Sequence, residues 1–288
     1  MITQQEREKL ALAMSQSGTG DLDRVLAFAD QAIVPVENIL QLIQVRATHP
    51  AQIWDMDGTL ADSEPVAFSA CAAVMNRLGK RKGHDFGFTG PSLLEKYVGR
   101  SFSAMVRELQ MIYNFDISES ELRYYADMEK RMVMNHFRNC GLGATPGSKD
   151  LVQISIAVGF RIAIASSSTL PRILLCKRLL GLDCISDTLC FSGTDMGKSK
   201  PAPDVYLKAA AALDAAPDQC ISFEDEEPGV QAAHAAGIGM KLGIIVLTPP
   251  ARRTDHINRL RVKNVDAVAE DFREMPALMY RLSQNSVL

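Results

Sequence analysis

The second half of this chain alternates between short apolar runs and helical or loop sequence, and that pattern constrains its fold more than any other feature. The runs are RIAIAS (161–166), TLCFS (188–192), CISF (220–223) and GIIVLT (243–248). Parallel neighbours cannot be joined by a tight turn; they need a long crossover, usually a helix, so strands separated by helical sequence predict a parallel sheet with helices on its faces. A further apolar pair, Ile53 and Trp54, lies far upstream in AQIWDMDGTL and runs straight into two carboxylates and a Gly-Thr turn, which reads as a strand ending in a loop. Between these regions the pattern is helical: Pro65 to Leu78, Phe102 to Tyr113, and a long helix opened by the capping box Ser118 and Glu121. No convincing strand falls in that stretch, and GLGATPGS (141–148) reads as a hinge or linker. The simplest assembly is an α/β core with a parallel, doubly wound sheet, built from residues 50–62 and 146–288 and interrupted by a helical insertion at 63–145. A cleft between core and insertion is expected.

Residues 1–49 read as a helical N-terminal extension. Leu22, Val25, Leu26, Ala29 and Ile33 recur at helical spacing behind a capping Asp21; Pro35 restarts a helix with Val36, Ile39, Leu40 and Ile43 on its apolar face. Leu10, Leu12 and Met14 belong to an earlier helix broken by SQSGTG, and no chemical motif occurs here. With 288 residues, 47% of them hydrophobic, the chain can bury a core without disulfide staples. Its net charge of −3 gives no general reason to expect nucleic acid or an anionic membrane as partner, so a small anionic ligand would need a local positive site. The six cysteines (71, 140, 176, 184, 190 and 220) show no C-x-x-C pair or metal-ligand spacing, and buried reduced thiols are expected. The opening MITQQEREKL lacks the pattern of a signal peptide, and no apolar run is long enough to span a bilayer; a soluble, cytoplasmic protein is the expectation.

Four clusters sit where strands should end, which is where open α/β sheets bind ligands. In DMDGTLADSE, Asp55 and Asp57 precede a Gly-Thr turn; taken alone, such a pair is more often turn-forming or solvated than catalytic. In IASSST, Ser166 follows an apolar strand and can offer hydroxyl and backbone donors, although serine-rich turns are common. In GKSKPAPDVY, Lys200 precedes a Pro-x-Pro turn that can start a helix near Asp204; a lone lysine is usually just solvated. In ISFEDEEPGVQAAHAAG, Glu224 and Asp225 end a strand, and four successive acids repel one another unless a cation or lysine compensates, a solvated acidic loop being the competing reading.

Together, in this order, the clusters resemble the signature motifs of the haloacid dehalogenase superfamily, in its phosphatase and β-phosphoglucomutase-like branch with a helical cap. The resemblance covers about residues 50 to 248 and rests on D-x-D-G-T-L-x-D-S-E, the serine after a strand, K-P-x-P-D-x-Y and E-D-x-x-x-G-x-x-A-A-x-A-A-G. It implies a Rossmann-like core, Asp55 as nucleophile, Asp57 as general acid and base, and Ser166 with Lys200 as phosphoryl-binding pair. It also implies a Mg²⁺ held by Asp55, the carbonyl of Asp57, Glu224 and Asp225, with backbone N–H groups near Gly58, Thr59 and Ser167 completing an oxyanion ring. The implied activity is hydrolysis of a small phosphorylated metabolite. Dehalogenases of the superfamily lack an aspartate where Asp57 stands, and the mutases carry a histidine where this chain reads Glu64 to Phe68 and a phosphate-gripping arginine where it has Phe102 in VGRSFSAM, though Arg100 lies nearby. Lys80, Lys82 and Lys96 are in no context that suggests a Schiff-base lysine. The remaining alternatives are a mutase-like phosphotransferase and a catalytically silent binding or regulatory protein that keeps the fold.

Weaker candidates are read as structural or solvent-facing. His84, His136 and His234 are of this kind, as are Glu226 and Glu227. Met105, Met111, Met128, Met132 and Met134 are expected mainly to fill core. For Tyr124, Tyr125 and Arg131, helical phase does not say which face they occupy.

Overall fold

The computed structural model describes residues 1–18, 20–31, 34–97 and 100–285. Ile33, and Val98 and Gly99 of the VGRSFSAM segment, lie outside the described residues. The strands are β1 (Ala51–Trp54), β2 (Ala61–Asp62), β3 (Gly143–Ala144), β4 (Arg161–Ser166), β5 (Cys190–Ser192), β6 (Cys220–Glu224), β7 (Met240–Ile244) and β8 (Ala267–Ala269). Six of them form one sheet in the order β5-β4-β1-β6-β7-β8, with every neighbouring pair parallel. This is the doubly wound, Rossmann-like arrangement that the alternation predicts: the chain starts in the middle and winds outward to both sides.

The central strand β1 is buried at all four positions, as a strand covered on both faces must be. Its one polar side chain, Gln52, is satisfied internally, donating to Ser155 Oγ at 3.1 Å and accepting from Trp54 Nε1 at 3.1 Å. Trp54 stacks on Phe223 with ring centroids 3.8 Å apart, a contact that helps hold β1 and β6 in register. RIAIAS coincides with β4, and CISF extends by one residue to Glu224. TLCFS shortens to β5, because Asp187–Leu189 form a 3₁₀ turn. The GIIVLT strand begins earlier than expected: pairing with β6 starts at Met240, while Thr248 N–H turns back onto the Ile245 carbonyl at 3.0 Å. The edge strand β8 is too short and too incompletely buried to stand out in the sequence.

The helices are α1 (Gln4–Ser17), α2 (Leu22–Asp30), α3 (Val36–Thr48), α4 (Glu64–Arg81), α5 (Gly90–Tyr97), α6 (Phe102–Tyr113), α7 (Glu119–Cys140), α8 (Ser148–Val158), α9 (Leu170–Leu179), α10 (Asp204–Ala212), α11 (Glu227–Ala235), α12 (Arg253–Val262) and α13 (Met275–Asn285). Contacts gather the chain into two compact units, one of Met1–Ala61 with Ala144–Leu288 and one of Asp62–Gly143. In the first, α3 packs on α13 and α8, and α2 on α8, so the N-terminal helices share the core of the α/β unit. Asp21 caps α2 by accepting from Arg24 N–H. The chain passes between the units at β2 and β3, which pair as a two-stranded sheet; β3 lies in the stretch read as a linker.

The second unit is built on α4–α7 around Phe68, Met75, Leu78, Tyr97, Leu109 and Tyr125. The capping box of Ser118 and Glu121 opens α7. Of the methionines there, Met105 is in the core and Met128 packs against it, whereas Met111 and Met132 are exposed, against the expectation of core filling. All six cysteines are free; Cys140 and Cys184 are exposed rather than buried. Among the described residues no helix is long and apolar enough to cross a membrane.

Candidate active site

Register decides which side chains meet. Trp54 pairs with Ile164 of β4 and Phe223 of β6, so Asp55, Ser166 and Glu224 leave the sheet together at the carboxyl ends of adjacent strands. Asp55 N–H donates to the Phe223 carbonyl at 3.0 Å, extending the ladder by one step. The chain then turns sharply: the N–H groups of Leu60 and Ala61 both donate to the Met56 carbonyl, at 3.0 and 2.8 Å, and Gly58 N–H donates to Ala61 O at 2.8 Å. Gly58 adopts φ 80°, and a Cβ there would lie 1.8 Å from Asp225 Oδ2. Glycine is therefore required both by the turn and by the approach of Asp225. Gly229, in the first turn of α11, does the same for Glu224, whose Oε2 would be 1.9 Å from an added Cβ.

Lys200 joins two of the acids. Its ammonium lies 2.5 Å from Asp55 Oδ1 and 2.6 Å from Glu224 Oε1, with the side chain only 4% exposed. It follows β5 and precedes α10, whose Tyr206 donates its hydroxyl to the same Glu224 oxygen. Asp225 Oδ1 accepts from the buried Thr59 hydroxyl at 3.2 Å. Burial pushes the Asp55 carboxyl up, against the opposing pull of Lys200. Burial likewise raises Glu224, to about 7, with Lys200 opposing and Asp55 reinforcing. Burial alone would lower Lys200, but the two carboxylates outweigh it and raise its affinity for the proton. Lys200 is thus a permanent cation facing acids that resist ionising without more positive charge.

A hard divalent cation fits this shortfall. Asp55, Glu224 and Asp225 each bring a carboxylate oxygen within 4.8 Å of the others, an oxygen-only donor set. Three carboxylates against one ammonium leave an excess of negative charge that such an ion would neutralise.

Asp57 belongs to a second network. Its Oδ2 accepts from Ser168 Oγ at 2.6 Å and its Oδ1 from Arg172 at 2.6 Å. Ser168 N–H donates to Ser166 Oγ at 3.0 Å, so the hydroxyl hydrogen of Ser166 is the part that can be offered to an anion. The loop after β4 is braced by the one after β5: Gly193 N–H donates to Ser166 O at 2.9 Å, Thr194 Oγ1 to Ser167 O at 2.5 Å, and Leu170 N–H to Asp195 at 2.7 Å. Ser167 itself is exposed.

The structure thus ties Asp55, Lys200 and Glu224 directly together, brings Asp225 to them through Thr59 and Gly58, and links Asp57 to Ser166 through Ser168. Sequence reasoning missed Ser168, Arg172 and Tyr206. Tyr206 closes the quoted K-P-x-P-D-x-Y motif and Ser168 ends the serine run, so both had a local signal. Arg172 meets Asp57 across a sequence separation of 115, and nothing local announces it. Glu227, expected in solvent, pairs with Arg259 at 3.1 Å. Arg100 pairs with Glu108, and His136 and His234 are exposed as expected.

Comparison with known proteins agrees with this layout. Residues 50–237 match the family described as haloacid dehalogenase-like hydrolase. A phosphatase of phosphorylated carbohydrates from Thermotoga maritima is 28% identical over 195 residues, covering 68% of this chain and 85% of the relative. The protein CbbY of Rhodobacter capsulatus is 30% identical over 207 residues, covering 69% and 85%. Among solved structures, a haloacid dehalogenase-like protein of unknown function from Agrobacterium tumefaciens superposes with a TM-score of 0.66 at 22% identity, covering 81% of this chain and 99% of that one.

Proposed function

Because this chain belongs to the haloacid dehalogenase-like hydrolases, we propose that it is a Mg²⁺-dependent phosphomonoester hydrolase working through a transient aspartyl-phosphate on Asp55. The observation that carries the reading is the buried Asp55 carboxylate at the end of β1, with Lys200 bridging it to Glu224. An anionic nucleophile can approach an anionic phosphoryl group only where positive charge is concentrated, and Lys200 supplies part of it. A Mg²⁺ bound by Asp55, Glu224, Asp225 and the Asp57 carbonyl would supply the rest.

An oxygen of Asp55 attacks phosphorus, the bond to the leaving oxygen breaks, and Asp57 gives that oxygen its proton. Asp57, ionised by this step, then takes a proton from water as the water attacks the acyl-phosphate; phosphate departs and Asp55 is regenerated. In the arrangement seen here Ser168 and Arg172 occupy both oxygens of Asp57, so to serve as the acid Asp57 leaves Arg172 and takes up a proton from solvent before it turns to the leaving oxygen. Ser166, Lys200 and the backbone N–H groups of Gly58, Thr59 and Ser167 are the proposed phosphoryl contacts.

The substrate is a small phosphorylated metabolite, with a sugar phosphate favoured by the naming of the Thermotoga relative. The helical residues 63–145 would serve as the cap that selects it, in a cytoplasmic protein. The test is release of inorganic phosphate from a panel of phosphomonoesters, with and without Mg²⁺, by wild type and Asp55→Asn. Metal-dependent turnover lost in the variant is the expected result; a folded, Mg²⁺-loaded wild type inactive on the whole panel would favour a mutase or a binding protein.

A further inference from the structure

The acidic loop after β6 is held from a direction that the reaction scheme does not use. The helix α12, RTDHINRLRV, is strongly polar, yet it buries His256 together with Leu260. A buried imidazole is costly unless its nitrogens find partners, and both do. Nε2 lies 2.7 Å from the main-chain carbonyl of Asp225, and Nδ1 lies 2.8 Å from Thr248 Oγ1. A carbonyl only accepts, so Nε2 carries the hydrogen, and the Thr248 hydroxyl can donate to Nδ1 and hold that tautomer. One turn further along, Arg259 pairs with Glu227 at 3.1 Å. The same helix thus grips the loop at Asp225 and the start of α11 at Glu227, while Thr59 and the bare Cα of Gly58 fix the carboxylate of Asp225.

We propose that α12 is a brace for the metal-binding loop, with His256 as the positioning residue that sets the main chain of Asp225 and Arg259 as a second anchor that relieves the crowding of four successive acids. This rests on the reading that Glu224 and Asp225 hold a divalent cation. Groups that orient metal ligands from behind typically contribute about 10- to 100-fold to metal affinity, and here the oriented element is the ligand's own peptide.

The experiment is calorimetric titration of the full chain with Mg²⁺, comparing wild type, His256→Leu, His256→Gln and Thr248→Val, with melting curves recorded without metal. The brace predicts that His256→Leu loses about ten-fold in Mg²⁺ affinity, that His256→Gln, which keeps an N–H donor, recovers part of it, and that Thr248→Val loses less. Wild-type affinity in a folded His256→Leu would overturn it. Should His256→Leu fail to fold, Thr248→Val carries the test, and unchanged affinity there overturns the brace equally. Absence of Mg²⁺ binding by wild type would instead bring down the metal reading. The brace is then judged by hydrogen exchange at residues 224–229, which must be faster in His256→Leu than in His256→Gln; equal rates overturn it.

Discussion

Asp55 and Asp57 are separated by a single residue and stand in opposite surroundings. Asp55 is buried against Lys200, which it shares with the buried Glu224. Asp57 is partly exposed and receives hydrogen bonds from Ser168, in the loop after β4, and from Arg172, in the first turn of α9. Identical side chains acquire different chemistry when their environments differ in this way. The first pocket concentrates charge that a cation must balance, which suits a nucleophile meeting a phosphoryl group. The second directs a carboxyl without burying it, which suits a group that exchanges protons with a leaving group and then with water. The end of the ladder makes the difference: Asp55 N–H still bonds across to Phe223 of β6, whereas Asp57 falls within the turn closed by the Met56 carbonyl and Gly58.

The comparison can be broken most severely at Asp57. Asp57→Asn should lower turnover of alkyl phosphates by about 10²- to 10⁴-fold, the usual contribution of general acid–base catalysis, and should cost less in the first half-reaction with an aryl phosphate whose leaving group needs no proton. Transient kinetics with the two substrate types reads the distinction, and equal losses in the first step would mean that Asp57 is not the acid. A smaller effect sharpens the other side. The folded state holds the Glu224 proton up to about 7, above the ordinary 4.5. Between those values the folded protein is protonated where the unfolded chain is not, so stability from this group is present at low pH and lost as pH rises through that window. Metal-free wild type should therefore lose melting temperature relative to Glu224→Gln from pH 4.5 to 7, and parallel curves would show that the pocket does not resist ionisation.

Much of the fold was legible because each central strand is a continuous apolar run bounded by turn residues: RIAIAS coincides with β4, and CISF differs from β6 only by Glu224. The acids were legible because they stand at the ends of strands, and Lys200 because it opens the Pro-x-Pro turn before α10. Other features were not. The helix α5 opens on Gly90 and Pro91 and is not among the helices that the pattern predicts. The packing of α3 on α13 joins opposite ends of the chain, and no local pattern encodes a partner so distant. For the same reason Arg172 and His256, whose roles depend on contacts made only after the sheet has assembled, stayed hidden among ordinary helix residues.

The central claim is that Asp55 becomes phosphorylated. Rapid mixing of the Mg²⁺-loaded protein with a turned-over phosphomonoester, followed by acid quench, proteolysis and mass spectrometry, reads this directly. The account predicts a phosphoryl adduct on the peptide containing Asp55, formed at least as fast as turnover and absent from Asp55→Asn. Turnover without such an adduct under single-turnover conditions, or an adduct that survives in Asp55→Asn, would contradict it.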